Sequence, residues 1–213
     1  MKTEDLVTML ATGHITVEEN AAARRYATAI GWGAFGATLL MAVVLGVRAD
    51  LAAAAGLPMF WVKILFSGAL TLASIVIALR LSQPGARLAP GAVALGAPIL
   101  GMWILAAVTL ARAQPALWPE LLFGQTWTSC PLLIAMLSIP MFVAALWAMK
   151  GLAPTRLRLA GAGAGLLAGA VAALVYCLHC PELSSPFLGV WYLLGILIPT
   201  AAGTVLGPWL LRW

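Results

Sequence analysis

Six apolar stretches of about twenty residues punctuate this chain, and the segments between them hold nearly all of its charge. The hydrocarbon core of a bilayer takes about 20 helical residues to cross. The runs near residues 27–47, 60–79, 91–111, 131–149, 159–178 and 188–211 are each long enough to do so. Backbone groups in lipid must find partners within their own segment or in a closed barrel. The runs are rich in Leu, Ala and Gly and lack the alternating polarity of barrel strands, so each is predicted to be an α-helix. The expected fold is all-α: a polytopic membrane helical bundle with six transmembrane helices. Composition agrees, since 63% of the 213 residues are hydrophobic and 9% charged, against about 25% charged in a soluble domain. Little of these 213 residues is left over, so an attached soluble catalytic domain is not expected.

The net charge of +5 is read as a topology signal and not as a nucleic-acid surface. Lys and Arg are retained on the cytoplasmic side during insertion. With the N-terminus inside, that side collects Lys2, Arg24, Arg25, Arg80, Arg87, Lys150, Arg156, Arg158 and Arg212. The opposite side holds Arg48 and Arg112 together with Asp50, Glu120 and Glu182. Both termini are therefore expected in the cytoplasm. No cleavable signal is expected, because the first apolar run follows 24 mostly polar residues and exceeds the usual signal-peptide core.

Two regions follow: a short cytoplasmic head over residues 1–24 and a transmembrane domain over residues 25–213. Thr3 before Glu4 and Asp5 reads as a helix start and Gly13 as its stop. Leu6, Val7, Met9 and Leu10 give that helix an apolar side. Thr16 and Glu19 form a capping box, after which residues 20–25 run into the first span without a breaker. A first helix so short is marginal by itself, so it either lies on the membrane surface or gains stability from a partner.

Inside the bundle, Gly161, Gly165 and Gly169 recur at intervals of four, which predicts close approach by a neighbouring helix. Pro98, Pro140 and Pro199 each remove a helix hydrogen bond and predict kinks. Lys63 is the ionisable residue clearly inside a span. Near the outer end and beside Phe60 and Trp61, it is expected to snorkel to the interface, with a transport role as the alternative. Spans three to six contain no Asp, Glu, Lys or Arg, which disfavours a transporter.

The cysteines carry the most chemistry. Cys130 starts span four and Cys180 ends span five, so both face the periplasm in this orientation. Cys130 precedes Pro131 at a helix start, where the positive dipole end favours thiolate, whereas Cys180 lies at a helix C-terminus with the opposite effect. An oxidising compartment permits a Cys130–Cys180 disulfide, either as a permanent staple or as a redox-responsive pair. Alternatively, Cys130, Cys180 and His179 supply soft ligands for a thiophilic metal. Cys177 should lie deeper and be inert.

At these residues the chain resembles the NrsF-like negative regulators of extracytoplasmic-function (ECF) sigma factors, six-span anti-sigma factors of the bacterial inner membrane. The resemblance spans essentially the whole chain. It rests on Pro58-Met59-Phe60-Trp61-Val62-Lys63, on Gly124, Trp127 and Cys130, and on Leu178-His179-Cys180-Pro181-Glu182. It continues through Trp191-Tyr192, Gly195 and Pro199 to the ending Leu206-Gly207-Pro208-Trp209-Leu210-Leu211-Arg212-Trp213. It implies a multi-pass protein without enzymatic activity or cofactor that sequesters an ECF sigma factor and releases it under oxidative or heavy-metal stress. It further implies that Cys130 and Cys180 take part in sensing. Cys177 is outside the family pattern and leaves a Cys177–Cys180 pairing open. On this reading oxidation or metal capture shifts spans four and five, and Leu6, Met9, Leu10, Arg156 and Arg158 lose their fit to the sigma factor. The competing readings are a membrane thiol-disulfide oxidoreductase passing electrons to quinone, which three cysteines supply poorly, and a small transporter.

Overall fold

Proline marks where many of the helices begin. In the computed structural model, which describes residues 3–12, 21–82, 89–152 and 154–212, Pro58, Pro119, Pro131 and Pro186 each stand in the first turn of a helix. The missing N–H costs nothing there, and the fixed φ suits the first turn. The elements are α1 (Thr3–Thr12), α2 (Ala21–Leu40) continued by a π-helical turn (Met41–Leu45), and a short α3 (Leu51–Ala55). There follow α4 (Pro58–Leu81), α5 (Ala89–Arg112), a 3-10 turn (Pro115–Leu117), α6 (Trp118–Phe123) and α7 (Cys130–Lys150). The chain ends with α8 (Leu157–Tyr176), α9 (Ser185–Phe187), a second π-helical turn (Leu188–Tyr192) and α10 (Leu193–Leu210).

Six helices are long and apolar enough to cross a membrane: Ala23–Leu45, Pro58–Leu81, Pro90–Arg112, Cys130–Lys150, Leu157–Tyr176 and Ser185–Leu210. The predicted multi-pass helical bundle is therefore the observed architecture. The short helices α3 and α6 on the connecting segments were not foreseen. Nor was the start of the last span at Ser185. Gly13, Thr16 and Glu19 lie outside the described residues. α2 starts at Ala21 and passes through Arg24 and Arg25 into the first span, as the lack of a breaker predicts.

α8 is the central helix. Almost every residue from Ala160 to Tyr176 is buried, because α10, α7 and α4 surround it. Its glycines explain the closest of these contacts. A Cβ at Gly161 would collide with the Gly203 carbonyl oxygen, one at Gly165 with the Pro199 carbonyl, and one at Gly169 would stand 2.8 Å from Ile196 Cα. Gly203 and Gly207 return the contact against Gly161 and Leu157. Small residues thus let two backbones meet, which in lipid replaces the absent hydrophobic drive for helix association. α5 is peripheral, packed on α4 and α9 and otherwise open on its large apolar side chains.

Six crossings put both ends of the bundle chain on one face. At that face Tyr26 Oη donates to Ala78 O (3.2 Å) or shares a bond with Ser82 Oγ (2.7 Å), tying the start of α2 to the end of α4. The Arg25 guanidinium stacks over the Trp147 ring (4.5 Å to its centroid) and reaches the Trp147 carbonyl at the C-terminus of α7. A positive charge is favourable at that end of the helix dipole.

Candidate functional site

The opposite face holds the three cysteines, all free thiols and all fully buried. Cys130 opens α7, and Cys177 caps α8 before the turn that carries His179, Cys180 and Glu182. Cys130 and Cys180 lie close enough for each thiol to act on the other electrostatically. Cys177 is committed elsewhere, with its Sγ 3.2 Å from Ala173 O and 3.5 Å from Ser67 Oγ.

The turn is held by three other elements. At the end of the first span, Arg48 N donates to Leu178 O (3.1 Å) and Arg48 Nη1 to Cys180 O (3.3 Å). His179 Nδ1 donates to Gly46 O (2.9 Å), and Gly46 is in the left-handed region at φ 74°. Arg48 is itself fixed by a two-point pair with Asp50, 2.7 Å at each contact, which raises the guanidinium pKa and lowers that of the carboxyl. From α4, Lys63 Nζ donates to Cys180 O (2.8 Å) and Glu182 O (3.0 Å) and lies 5.3 Å from the centroid of the Tyr192 ring. These donors satisfy carbonyls that a helix C-terminus and its turn leave without partners. Finally, the Glu182 carboxylate accepts from Gln125 N (2.8 Å), anchoring the segment that leads into Cys130. Phe123, Trp127 and Trp191 stack beside that segment with centroids 5.2–6.1 Å apart. An open cleft of about 580 Å³, lined in part by Glu120, Gln125, Pro181 and Glu182, lies next to the turn.

Three expectations are corrected. Lys63 does not snorkel to water: its side chain is 0% exposed, because two carbonyls of the adjoining turn and an aromatic face enclose its ammonium. Cys180 is not the neutral thiol that its place at a helix C-terminus suggests. The Cys130 thiol donating to it, and then Lys63 nearby, outweigh burial and lower the Cys180 pKa to about 5. The proposed ligand set of Cys130, Cys180 and His179 is not assembled. Among the described residues no three His, Cys, Asp or Glu side chains are arranged to hold a metal ion, and His179 turns to Gly46. Cys177 is fully buried and held by Ala173 O and Ser67 Oγ.

Arg156 and Arg158 are exposed at the start of α8, on the face of the chain ends. Leu6, Met9 and Leu10 fall within α1, and their side chains lie outside the described residues. Sequence reasoning missed Arg48, Tyr192 and the loop-anchoring role of Glu182. The intramembrane position of Lys63 was the available signal.

Comparison with known proteins gives the same answer along the whole chain. A family model described as NrsF, negative regulator of sigma F, matches residues 10–213. A protein of Azospira oryzae named "Probable anti-sigma-F factor NrsF" is 63% identical over 213 residues, with all of both chains covered. "Anti-sigma-F factor NrsF" of Caulobacter vibrioides is 42% identical over 217 residues, again with both chains fully covered. No solved structure matches. Six membrane-crossing helices and full-length matches of this kind place the chain in the NrsF family of negative regulators of sigma F.

Proposed function

We propose that the protein holds an ECF sigma factor inactive on the cytoplasmic side of the bacterial inner membrane and releases it when periplasmic stress joins Cys130 to Cys180. The observation that carries this reading is the juxtaposition of two buried, electrostatically coupled thiols at the end of the bundle opposite the chain termini. The basic residues of the face bearing the termini, among them Arg24, Arg25, Lys150, Arg156 and Arg158, support that orientation.

With an oxidant of the peroxide class the chemistry closes. The Cys180 thiolate attacks one peroxide oxygen, the O–O bond breaks, and hydroxide leaves. Cys130 then displaces the sulfenic hydroxyl as the S–S bond forms, its proton leaving with that oxygen as water. Two electrons pass from the two sulfurs to the two oxygens. A thiophilic heavy-metal ion acts on the same pair by bridging both sulfurs.

Either event must favour one arrangement of the bundle over another for a signal to pass. On the cytoplasmic side, Leu6, Met9 and Leu10 of α1 with the exposed Arg156 and Arg158 form the sigma contact. The head, residues 1–24, joins the transmembrane domain through the unbroken α2. An electron relay to quinone is less suited, since three cysteines do not make two pairs.

The test is a pull-down and an induction assay. Alanine at both Cys130 and Cys180 should leave sigma binding intact and abolish release under peroxide. Deletion of residues 1–15 should abolish binding itself. Normal induction in the double-alanine protein would refute the sensing role, and sigma capture by the truncated protein would move the contact away from the head.

A further inference from the structure

We propose that Lys63 is the positioning residue of the thiol pair, clamping the Cys180–Glu182 turn onto α4 and presenting a fixed positive charge to the Cys180 sulfur. This inference rests on the sensing reading above. Its basis is geometric. Lys63 Nζ spans two carbonyls of one turn, Cys180 O at 2.8 Å and Glu182 O at 3.0 Å, so the backbone on both sides of Pro181 is pinned by one side chain. The Cys180 carbonyl also accepts from Arg48 Nη1 at 3.3 Å, so that oxygen joins α4 and the end of the first span.

The charge is equally informative. Lys63 is fully buried, and its partners are two carbonyls and the face of Tyr192, with no carboxylate in a salt bridge to it among the described residues. A buried ammonium without a counter-charge is costly. Lys63 acts electrostatically on the thiols of Cys130, Cys177 and Cys180. Of these, Cys177 is held by Ala173 O and Ser67. The arrangement therefore places a cation beside the reacting pair and fixes the backbone of one member of it.

The position also explains how a change at the pair would leave the site. Disulfide formation moves Cys180 Sγ to bonding distance of Cys130 and removes any negative charge on the sulfur. The clamp then holds a cation beside a neutral group, which favours a rearrangement of the turn on α4 and on Arg48. The first span, hydrogen-bonded to this turn through Gly46 and Arg48, is the same helix that continues to Ala21 at the other face.

The experiment uses the full chain in lipid nanodiscs with its sigma factor bound. Hydrogen peroxide is added, and the Cys130–Cys180 disulfide is followed by alkylation and mass spectrometry. Lys63→Met should slow its formation roughly tenfold or more through lost alignment, while Lys63→Arg retains most of the rate. In parallel, the alkylation rates of Cys180 with iodoacetate and iodoacetamide are compared. Loss of the cation in Lys63→Gln should lower the ratio of anionic to neutral reagent, which a purely structural role would not change. An unaltered pairing rate in Lys63→Met, or an unaltered ratio in Lys63→Gln, overturns the proposal. Should Lys63→Met fail to accumulate, the alkylation ratio in Lys63→Gln, which keeps a donor for the carbonyls, tests the charge by itself. Failure of the sensing reading gives a different result: the unsubstituted protein forms no Cys130–Cys180 disulfide, or forms it and keeps its sigma factor.

Discussion

Replacing Gly161 by Ala adds one methyl group at the point where α8 and α10 touch through their backbones. That methyl would run into the Gly203 carbonyl oxygen and stand 2.7 Å from Gly207 Cα and 2.9 Å from the Gly203 carbonyl carbon. All three are backbone atoms, so no side chain can turn aside. Reaching ordinary carbon–carbon contact requires the helices to part by at least about 0.7 Å, along a seam that Gly165 and Gly169 continue. Over-packing of this kind costs about 1–3 kcal/mol, offset by up to about 1 kcal/mol from the better helix propensity of Ala. A net loss of about 1–2 kcal/mol is expected. The assay is reversible unfolding by SDS in mixed micelles, read by tryptophan fluorescence. Gly31→Ala is the control, because a Cβ there meets nothing within 4 Å, and it should be neutral or slightly stabilising. If Gly161→Ala unfolds at the same SDS fraction as Gly31→Ala, the close-packing account of α8 and α10 is wrong.

Three further outcomes are expected. Tyr26→Phe removes the hydroxyl that joins α2 to Ala78 O and Ser82 Oγ, and should cost about 1 kcal/mol in the same unfolding assay. Gly124→Ala forces a side chain into φ 52° with its Cβ 2.7 Å from the Glu182 carboxyl carbon. It should destabilise by about 1 kcal/mol or more and slow Cys130–Cys180 pairing measured by alkylation. Because the pKa of Cys180 is lowered to about 5, its thiolate persists below the ordinary thiol range and is lost only as pH falls through that value. Its alkylation rate should therefore change little between pH 8 and pH 6, about the range over which an ordinary thiol loses most of its thiolate, and a hundredfold fall across that interval would contradict the assignment.

Much of this protein is legible without coordinates. Hydrophobic length sets the six spans, because lipid offers backbone amides no partner outside the helix, and the distribution of Lys and Arg supplies an expected orientation. The glycine spacing in α8 foretold a close helix contact, since the 3.6-residue period puts positions four apart on one face. The family resemblance was equally readable, from motifs spread over the whole chain.

Other features depend on which elements meet. The environment of Lys63 could not be read from its neighbours in sequence, Phe60 and Trp61, because the groups that receive its ammonium lie 117 and 119 residues away. The same holds for Cys180. Its helix position alone predicts an unfavourable dipole, but the thiol of Cys130 and the ammonium of Lys63 arrive from other helices and reverse the outcome. Arg48 and Glu182, one pinning the turn to the first span and the other pinning the Cys130 segment to the turn, look like ordinary loop charges until the bundle closes. Local pattern determines which segments enter the membrane, since each segment meets the same solvent. Hydrogen bonds and charges act over a few ångströms whatever the distance along the chain, so only the tertiary structure decided that the thiols of Cys130 and Cys180 share one site with a buried cation.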